Sequence, residues 1–293
     1  MSLPPASLVV SSRERPRLLE ALVESVLAGE QVPAEIVLVD QSRAPHPRLS
    51  EARPPVRYLW SRTVGLSRGR NAGIAAAQHD LLVFTDDDLL VAPNWFGTLV
   101  SAVEAAGPRA VVTGQVRPTE PERSGGFAQS IKVQPHPAVY AGRRHLGVLF
   151  PNNMAMRRSA FAEVGFFDER LGVGSAYPSS EDNDLCFRLL EAGYRIVYVP
   201  EAVVYHRAWR GQADYLPLRW RYGRGQGAYY AKHFSARDPY MLRCLARDTL
   251  LHAVRAARLG RRPRLAGAEA AYAAGMIAGA LQWLLAEKSR GRA

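Results

Sequence analysis

Short apolar runs rich in β-branched residues alternate along this chain with segments of helical periodicity. The clearest runs cover residues 7–11, 35–40 and 81–85, and each has the length and composition of a buried strand. Pro16 follows the first run and opens a helical pattern, as proline does at a first helical position. Because strands that alternate with helices pair in parallel, we predict an α/β fold with a mostly parallel, Rossmann-like sheet flanked by helices.

Polar side chains stand where three of these runs end. Ser12 follows the first run, Asp40 ends the second, and Asp86, Asp87 and Asp88 follow the third. Ligands of open α/β sheets bind outside the carboxyl ends of the strands. The sequence therefore predicts a binding site at this edge of the sheet.

The three consecutive aspartates predict a cation. Adjacent carboxylates raise one another's pKa unless a positive charge compensates them. Mn²⁺ and Mg²⁺ accept carboxylate oxygens and take their remaining ligands from substrate phosphates. His206, at the end of a later strand-like run, is an imidazole that could complete such a site. An acidic turn and a structural histidine are the simpler alternatives.

Glu181 and Asp182 open a predicted helix that extends to Ala192. A carboxylate in this place could act as a general base that removes a proton from an attacking hydroxyl. Ser179 and Asp182 also match a capping box, in which the acid merely stabilises the helix start. The sequence leaves both interpretations open.

The segment GLSRGRNAG allows two functions. Arg70 and Asn71 lie near the start of a predicted helix, where an arginine can bind a diphosphate. The same segment matches the G-x-S-x-G pattern around Ser67, which is the nucleophile motif of α/β-hydrolases. A serine hydrolase acting through Ser67 is therefore an alternative.

The positive charge is concentrated in the last third of the chain. Of 38 basic and 27 acidic residues, 17 basic but only 5 acidic ones follow residue 206. Residues 219–232 interleave arginines with aromatic side chains, and residues 270–286 are apolar and rich in alanine, which favours an interfacial or packed helix over a membrane span. Such a surface suits an anionic membrane or a nucleic acid, so a non-catalytic binding protein is a further alternative.

Taken in order, the motifs resemble one family. VVSSRERPRLLEAL, EIVLVDQS, VGLSRGRNAG, LLVFTDDDLLVAPNW and SSEDNDLCFRLLEAG are similar, in order and spacing, to the family-2 glycosyltransferases of the GT-A fold. The resemblance covers about residues 6–207. It implies a catalytic domain at 1–207, followed by a basic helical C-terminal extension at 208–293.

The resemblance also implies an activity and a set of roles. The expected reaction is an inverting, metal-dependent transfer of a sugar from a nucleotide-diphosphate sugar, with UDP as the expected nucleotide, to a hydroxyl of a glycan or lipid-linked acceptor. The implied catalytic base is Asp182, and the implied ligands of Mn²⁺ or Mg²⁺ are Asp88 and His206. The implied donor-binding residues are Ser12, Glu14, Asp40, Arg70, Asn71, Asp86 and Asp87. The first loop, SSRE, departs from the family pattern because it lacks the usual aromatic residue.

The N-terminus has no basic segment followed by a long apolar core. With the basic C-terminal third, this leads us to expect a cytoplasmic enzyme at the inner face of the cell membrane. The expected contact is peripheral and made with anionic lipid, and nucleic acid is not an expected partner.

Overall fold

The computed structural model describes residues 3–120, 127–207 and 209–290. Its strands are β1 (Ala6–Ser12), β2 (Glu35–Asp40), β3 (Val56–Trp60), β4 (Leu81–Asp86), β5 (Leu89–Val91), β6 (Ala110–Pro118), β7 (Phe127–Ala128), β8 (Ala138–Tyr140), β9 (Asn153–Arg157), β10 (Arg195–His206) and β11 (Trp209–Arg210). Its α-helices are α1 (Pro16–Leu27), α2 (Leu66–Ala76), α3 (Trp95–Ala106), α4 (Ser159–Val164), α5 (Glu181–Glu191), α6 (Tyr215–Lys232), α7 (Tyr240–Arg258) and α8 (Pro263–Arg290).

One large sheet organises the described residues. Its strands lie in the order β3–β2–β1–β4–β9–β6–β10–β5, and β8 pairs with β10. The pairs β1–β2, β1–β4, β2–β3 and β6–β10 are parallel, whereas β9 runs antiparallel to both β4 and β6. The predicted α/β class with a mostly parallel sheet is confirmed.

Helices cover both faces of this sheet because side chains alternate along each strand. Leu8 and Val10 point to a core shared with α1 and α3, whereas Val9 points to a second core shared with α2, α4 and α5. Since both faces are covered, the central strands are continuous apolar runs. The polar residues that end them therefore lie at the sheet edge.

Several boundaries differ from the sequence-based prediction. Residues 114–147 are rich in glycine, proline and histidine, which predicts an irregular segment. In the structure they contain the end of β6 and all of β7 and β8, while residues 121–126 lie outside the described residues. Two apolar runs, at 195–199 and 202–205, predict two strands, but the structure has one strand, β10, with an irregular register between Val199 and Val203. A local apolar pattern cannot show this continuity, because it depends on pairing with distant strands.

Three helices, α6 to α8, form the basic C-terminal part. Gly223 and Gly227 on α6 face α8, and Gly275 and Gly279 on α8 face α6. A Cβ added at Gly227 would overlap the carbonyl oxygen of Met276, so the two backbones touch where no side chain fits. The alanine-rich segment 270–286 is therefore a packed helix, and no helix in the described ranges is long and apolar enough to cross a membrane.

The aromatic and basic side chains of α6 are largely used inside the protein. Tyr229 and Tyr230 are buried, Arg219 pairs with Glu269 on α8, and Lys232 pairs with Asp184 on α5. The segment 219–232 thus holds the C-terminal helices against the α/β part of the protein. It does not form the continuous exposed surface that its sequence suggested.

The close approach of α6 and α8 predicts a large difference between two glycine substitutions. Gly227→Ala should lower the free energy of unfolding by about 1–3 kcal/mol, because the methyl group has to push the helices apart. Gly267→Ala, on α8, meets only Leu216 Cδ1 at 3.7 Å and should be neutral or stabilising by up to about 1 kcal/mol. Urea unfolding of both variants measures the difference, and equal stabilities would contradict the packing.

Candidate active site

The register of the sheet brings the predicted edge residues together. Ser11 pairs with Asp86 across β1 and β4, and Ser12 pairs with Asp40 across β1 and β2. The hydroxyl of Ser12 donates a hydrogen bond to Asp87 Oδ2 at 2.7 Å. The three aspartates therefore leave the sheet beside the first loop, as the strand pattern predicted.

Arg15 neutralises two of the three aspartates. Its Nη1 lies 3.0 Å from Asp87 Oδ1 and 2.8 Å from Asp88 Oδ2. Burial still raises the pKa of Asp87 to about 6, because attraction to Arg15 only partly offsets the loss of water and the repulsion by Asp88. Arg15 was not predicted from the sequence, although its place directly before the helix-opening Pro16 sets it at the sheet edge.

His206 reaches Asp88 because β10 pairs with β5, which follows the aspartates. The Nε2 atom of His206 lies 3.3 Å from Asp88 Oδ1, and its Nδ1 lies 2.7 Å from the carbonyl oxygen of Gln129. Burial alone would lower the pKa of His206, but its hydrogen bond and attraction to Asp88 raise it. The same contacts outweigh the effect of burial on Asp88 and lower its pKa.

This pair fits a divalent cation. A carbonyl oxygen only accepts hydrogen bonds, so Nδ1 of His206 carries a proton. A cation that replaced the proton on Nε2 would find the lone pair of Nε2 beside Asp88 Oδ1. Within the described ranges, no three His, Cys, Asp or Glu side chains gather closely enough to hold a metal by themselves. Two protein ligands suit a Mn²⁺ or Mg²⁺ ion that takes its other ligands from substrate phosphates and water.

Arg70 is a buried link between the aspartates and helix α5. Its Nη2 lies 2.8 Å from Asp86 Oδ1 and its Nη1 lies 3.4 Å from Glu181 Oε1. Only 3% of the residue is exposed, and the guanidinium also lies over the ring of Phe167. In this structure the positive charge of Arg70 is paired with the carboxylates of Asp86 and Glu181.

Glu181 and Asp182 open α5 without capping it. Ser180, which precedes the helix, has φ 69° and makes no side-chain cap hydrogen bond. The hydroxyl of Ser179 instead donates to the carbonyl oxygen of Tyr222 at 3.0 Å, so the capping-box alternative is wrong. Burial and repulsion by Asp182 raise the pKa of Glu181, and burial and repulsion by Asp86 raise the pKa of Asp182.

Two cavities meet at Asp86. The first, of ≈ 250 Å³, is lined by residues that include Glu181, Asp182 and Tyr272. The second, of ≈ 320 Å³, is lined by residues that include Ser12, Asp88 and His206. Asp86 and Tyr222 line both, so the metal pair and the two acids of α5 face adjoining spaces. Tyr222 and Tyr272 belong to the C-terminal helices, so these helices help to form the site.

Three of the predicted donor-binding residues lie outside the lining of both cavities. The Asp40 carboxylate accepts hydrogen bonds from the Tyr58 hydroxyl and the Ser42 backbone N–H. Glu14 accepts from the Arg43 backbone N–H, and Asn71 holds the backbone of Phe167. These side chains have partners within the protein, and their donor-binding roles stay predictions.

Ser67 is not placed as a nucleophile. It lies within α2, is 1% exposed, and donates a hydrogen bond to the carbonyl oxygen of Leu171 at 2.7 Å. A buried hydroxyl whose proton is held by a backbone carbonyl cannot attack a substrate. This removes the observation on which the serine hydrolase alternative depended.

Comparison with known proteins decides the family. The sequence profile described as Glycosyl transferase family 2 matches residues 7–165, which is more than half of the chain. The chain belongs to this family. The resemblance stated from the motifs is confirmed, and a glycosyltransferase is the class of enzyme that this membership supports.

Two curated relatives show how far the similarity extends. The Pre-mycofactocin glycosyltransferase of Mycobacterium tuberculosis (strain ATCC 25618 / H37Rv) is 28% identical over 191 residues, which is 61% of this chain and 37% of that protein. Succinoglycan biosynthesis protein ExoM of Rhizobium meliloti (strain 1021) is 27% identical over 240 residues, or 76% of this chain and 74% of that protein. The chain thus spans just over a third of the first relative.

A solved structure shares the fold. The mannosyltransferase PcManGT from Pyrobaculum calidifontis, in complex with GDP-Man and Mn²⁺, superposes with a TM-score of 0.60 at 18% identity. The match covers 97% of this chain and 88% of that one. The GT-A fold expected from the motifs is confirmed.

The buried position of Arg70 predicts a strong effect on stability. Arg70→Gln should cost about 3–5 kcal/mol in the free energy of unfolding at neutral pH, because it leaves the buried Glu181 and the partly buried Asp86 without their cation. The loss should shrink as the pH falls through the raised pKa of Glu181, because the protonated acid no longer needs a cation. Arg68→Gln, on the same helix, removes only a half-exposed pair with Glu169 and should cost at most about 1 kcal/mol. Urea unfolding at two pH values checks both variants, and equal losses would contradict the role of Arg70.

Proposed function

We propose that this chain is an inverting, metal-dependent glycosyltransferase that moves a sugar from a nucleotide-diphosphate sugar to a hydroxyl of a glycan or lipid-linked acceptor. The observation that carries the proposal is the pair of cavities that adjoin at Asp86. One presents the paired Asp88 and His206, and the other presents the two acids of α5. A reaction between two substrates needs such adjoining spaces.

The second cavity is the proposed donor site. Ser12 and the three aspartates line it or lie against it, together with Arg13, Arg15 and Arg210. These three basic side chains suit the negative charge of a diphosphate. A divalent cation held by Asp88 and His206 would neutralise the diphosphate as it leaves the sugar. UDP is the expected nucleotide, and the GDP-Man named with the mannosyltransferase relative makes GDP the competitor to test.

The first cavity is the proposed acceptor site, with Asp182 as general base. Burial and repulsion by Asp86 raise the pKa of Asp182, which makes its carboxylate a stronger base than an ordinary aspartate. Asp182 and the pair Asp88–His206 line different cavities. A hydroxyl activated by Asp182 would therefore approach the sugar from the side away from the diphosphate, and this geometry inverts the anomeric centre.

Arg70 is proposed as a positioning residue. It connects Asp86, where the cavities meet, to Glu181, which neighbours the base. By holding both acids it fixes α5 relative to β4. Fixed geometry between two substrates is a major part of the rate that an enzyme can supply.

The base assignment predicts the behaviour of Asp182→Asn. The rate of nucleoside diphosphate release with glycan or membrane-lipid acceptors should fall by about 10²–10⁴-fold, while sugar-nucleotide binding stays unchanged. Asp80→Asn, at the opposite end of β4 and exposed, should keep the wild-type rate. In the wild type, kcat/KM should decline as the pH falls through the raised pKa, because the protonated acid cannot accept a proton. Near-normal transfer by Asp182→Asn would overturn the assignment.

The metal assignment predicts the behaviour of Asp88→Asn. Sugar nucleotides should raise the melting temperature of the wild type only when Mn²⁺ or Mg²⁺ is present; a ligand at 100 times its Kd stabilises by about 2.7 kcal/mol. In Asp88→Asn this shift should vanish, and Mn²⁺ binding followed by electron paramagnetic resonance should weaken. UDP-, GDP- and dTDP-sugars are compared, with Asp80→Asn as the control. An equal rise in melting temperature with and without the metal would contradict the proposed metal site.

We further propose that the enzyme works at an anionic membrane surface, through peripheral contact by its C-terminal helices. Two points support this proposal. The last third of the chain is basic, and one of the two proposed acceptor classes, the lipid-linked one, resides in a membrane. Residues 219–232 on α6 cannot supply the contact with the membrane, since most of their side chains face the interior. The surface has to lie elsewhere on these helices.

A further inference from the structure

Five arginines cluster where α7 turns into α8. Arg255, Arg258, Arg261, Arg262 and Arg264 are all exposed, and none makes an ion pair or side-chain hydrogen bond among the described residues. The sequence has no acid between Asp248 and Glu269. Most other arginines near the site are paired, as Arg15 and Arg70 are. The turn therefore carries the densest uncompensated positive charge on the C-terminal helices.

Apolar side chains are exposed at the same end of the helices. Leu250 is 65% exposed, Leu251 43%, Val254 37% and Leu265 38%. A partly buried polar cluster fixes this end, because Arg219 of α6 and His252 of α7 both bind Glu269 of α8. We call residues 250–267 the arginine tip. Exposed leucines among unpaired arginines match an element that inserts at a headgroup boundary and attracts anionic lipid.

The arginine tip is connected rigidly to the proposed acceptor cavity. The helix α8 is continuous from the tip to Tyr272, which lines that cavity. Eight residues separate Arg264 from Tyr272, which is about 12 Å along a helix. The headgroup layer on each side of a bilayer is roughly 5–8 Å thick. A surface bound at the tip would thus hold the cavity close to the headgroups.

We infer that the arginine tip is the membrane-docking surface of this protein and that its occupant is an anionic phospholipid bilayer. The inference rests on the membrane partner proposed above and gives it a location. Electrostatic attraction by the arginines and shallow insertion of the leucines are both required. This combination separates a bilayer from a nucleic acid, which the arginines could attract but which offers no apolar layer for the leucines.

The test is co-sedimentation of the full chain with vesicles. The wild type should bind vesicles of phosphatidylcholine mixed with phosphatidylglycerol and should not bind pure phosphatidylcholine. The triple variant Arg258→Gln, Arg261→Gln, Arg262→Gln should partition roughly 100-fold more weakly, because each arginine near an anionic surface contributes about fivefold. The matched control changes three exposed, unpaired arginines elsewhere, as Arg17→Gln, Arg53→Gln, Arg237→Gln, and should bind like the wild type.

A second variant tests the apolar half of the surface. Leu250→Ser with Leu265→Ser keeps the charge and should weaken vesicle binding about tenfold, while binding to a single-stranded oligonucleotide stays unchanged. Equal vesicle binding by both tip variants and the control would overturn the inference. The inference would also fail if the arginine variant alone lost vesicle binding, the leucine variant did not, and the wild type bound the oligonucleotide strongly. Self-association of the wild type through the tip, detected by light scattering, would likewise contradict it.

The same variants separate this inference from the transferase assignment. Far-ultraviolet circular dichroism and the metal-dependent melting shift with a sugar nucleotide should be unchanged in both tip variants, since no substituted residue lines either cavity. A protein that binds vesicles through the tip but binds no sugar nucleotide would keep the docking surface and refute the transferase. A protein that binds a sugar nucleotide but does not bind vesicles through the tip would support the transferase and refute the docking surface.

Discussion

The structure of the site depends on neutralising carboxylates that are crowded at one edge of a sheet. Asp86, Asp87 and Asp88 leave β4, and Glu181 and Asp182 reach the same place from α5. Burial disfavours the charged form of Asp87, Asp88, Glu181 and Asp182, so these acids need a cation or a hydrogen-bond donor close to them. Arg15, Arg70 and His206 meet this need from three different elements, and thereby tie α1, α2 and β10 to the aspartates.

The C-terminal helices complete the site and are not an appendage. Tyr222 donates a hydrogen bond to Gln129 Oε1, and the backbone carbonyl of Gln129 accepts a hydrogen bond from His206 Nδ1. This chain links α6 to the residue proposed as a metal ligand. On the other side, Lys232 and His233 bind Asp184, two residues after the proposed base. The glycine contacts hold α6 against α8, and α8 extends from the site to the arginine tip.

Much of the fold could be predicted from the sequence because it follows from local periodicity. Apolar runs such as residues 81–85 are buried on both faces, which only a sheet covered by helices allows. The polar residues that end those runs then have to share an edge, so the strand pattern alone places Ser12, Asp86 and Asp88 together. The irregular join within β10 was missed, since it depends on pairing with β6 and β5.

The sequence by itself determined the sheet, its flanking helices, the family and the edge that carries the acids. Only the tertiary structure decided which partner each charge has. Arg15 pairs with Asp87, which lies 72 positions along the chain, and Arg70 pairs with Glu181, which lies 111 positions along the chain. Ser179 donates a hydrogen bond to Tyr222 instead of capping α5. It also decided which arginines of the described C-terminal helices remain unpaired, and five of them cluster at the tip. The reason is physical: periodicity fixes which face of an element is buried, whereas ion pairs, glycine contacts and cavities form between elements that are distant in the chain.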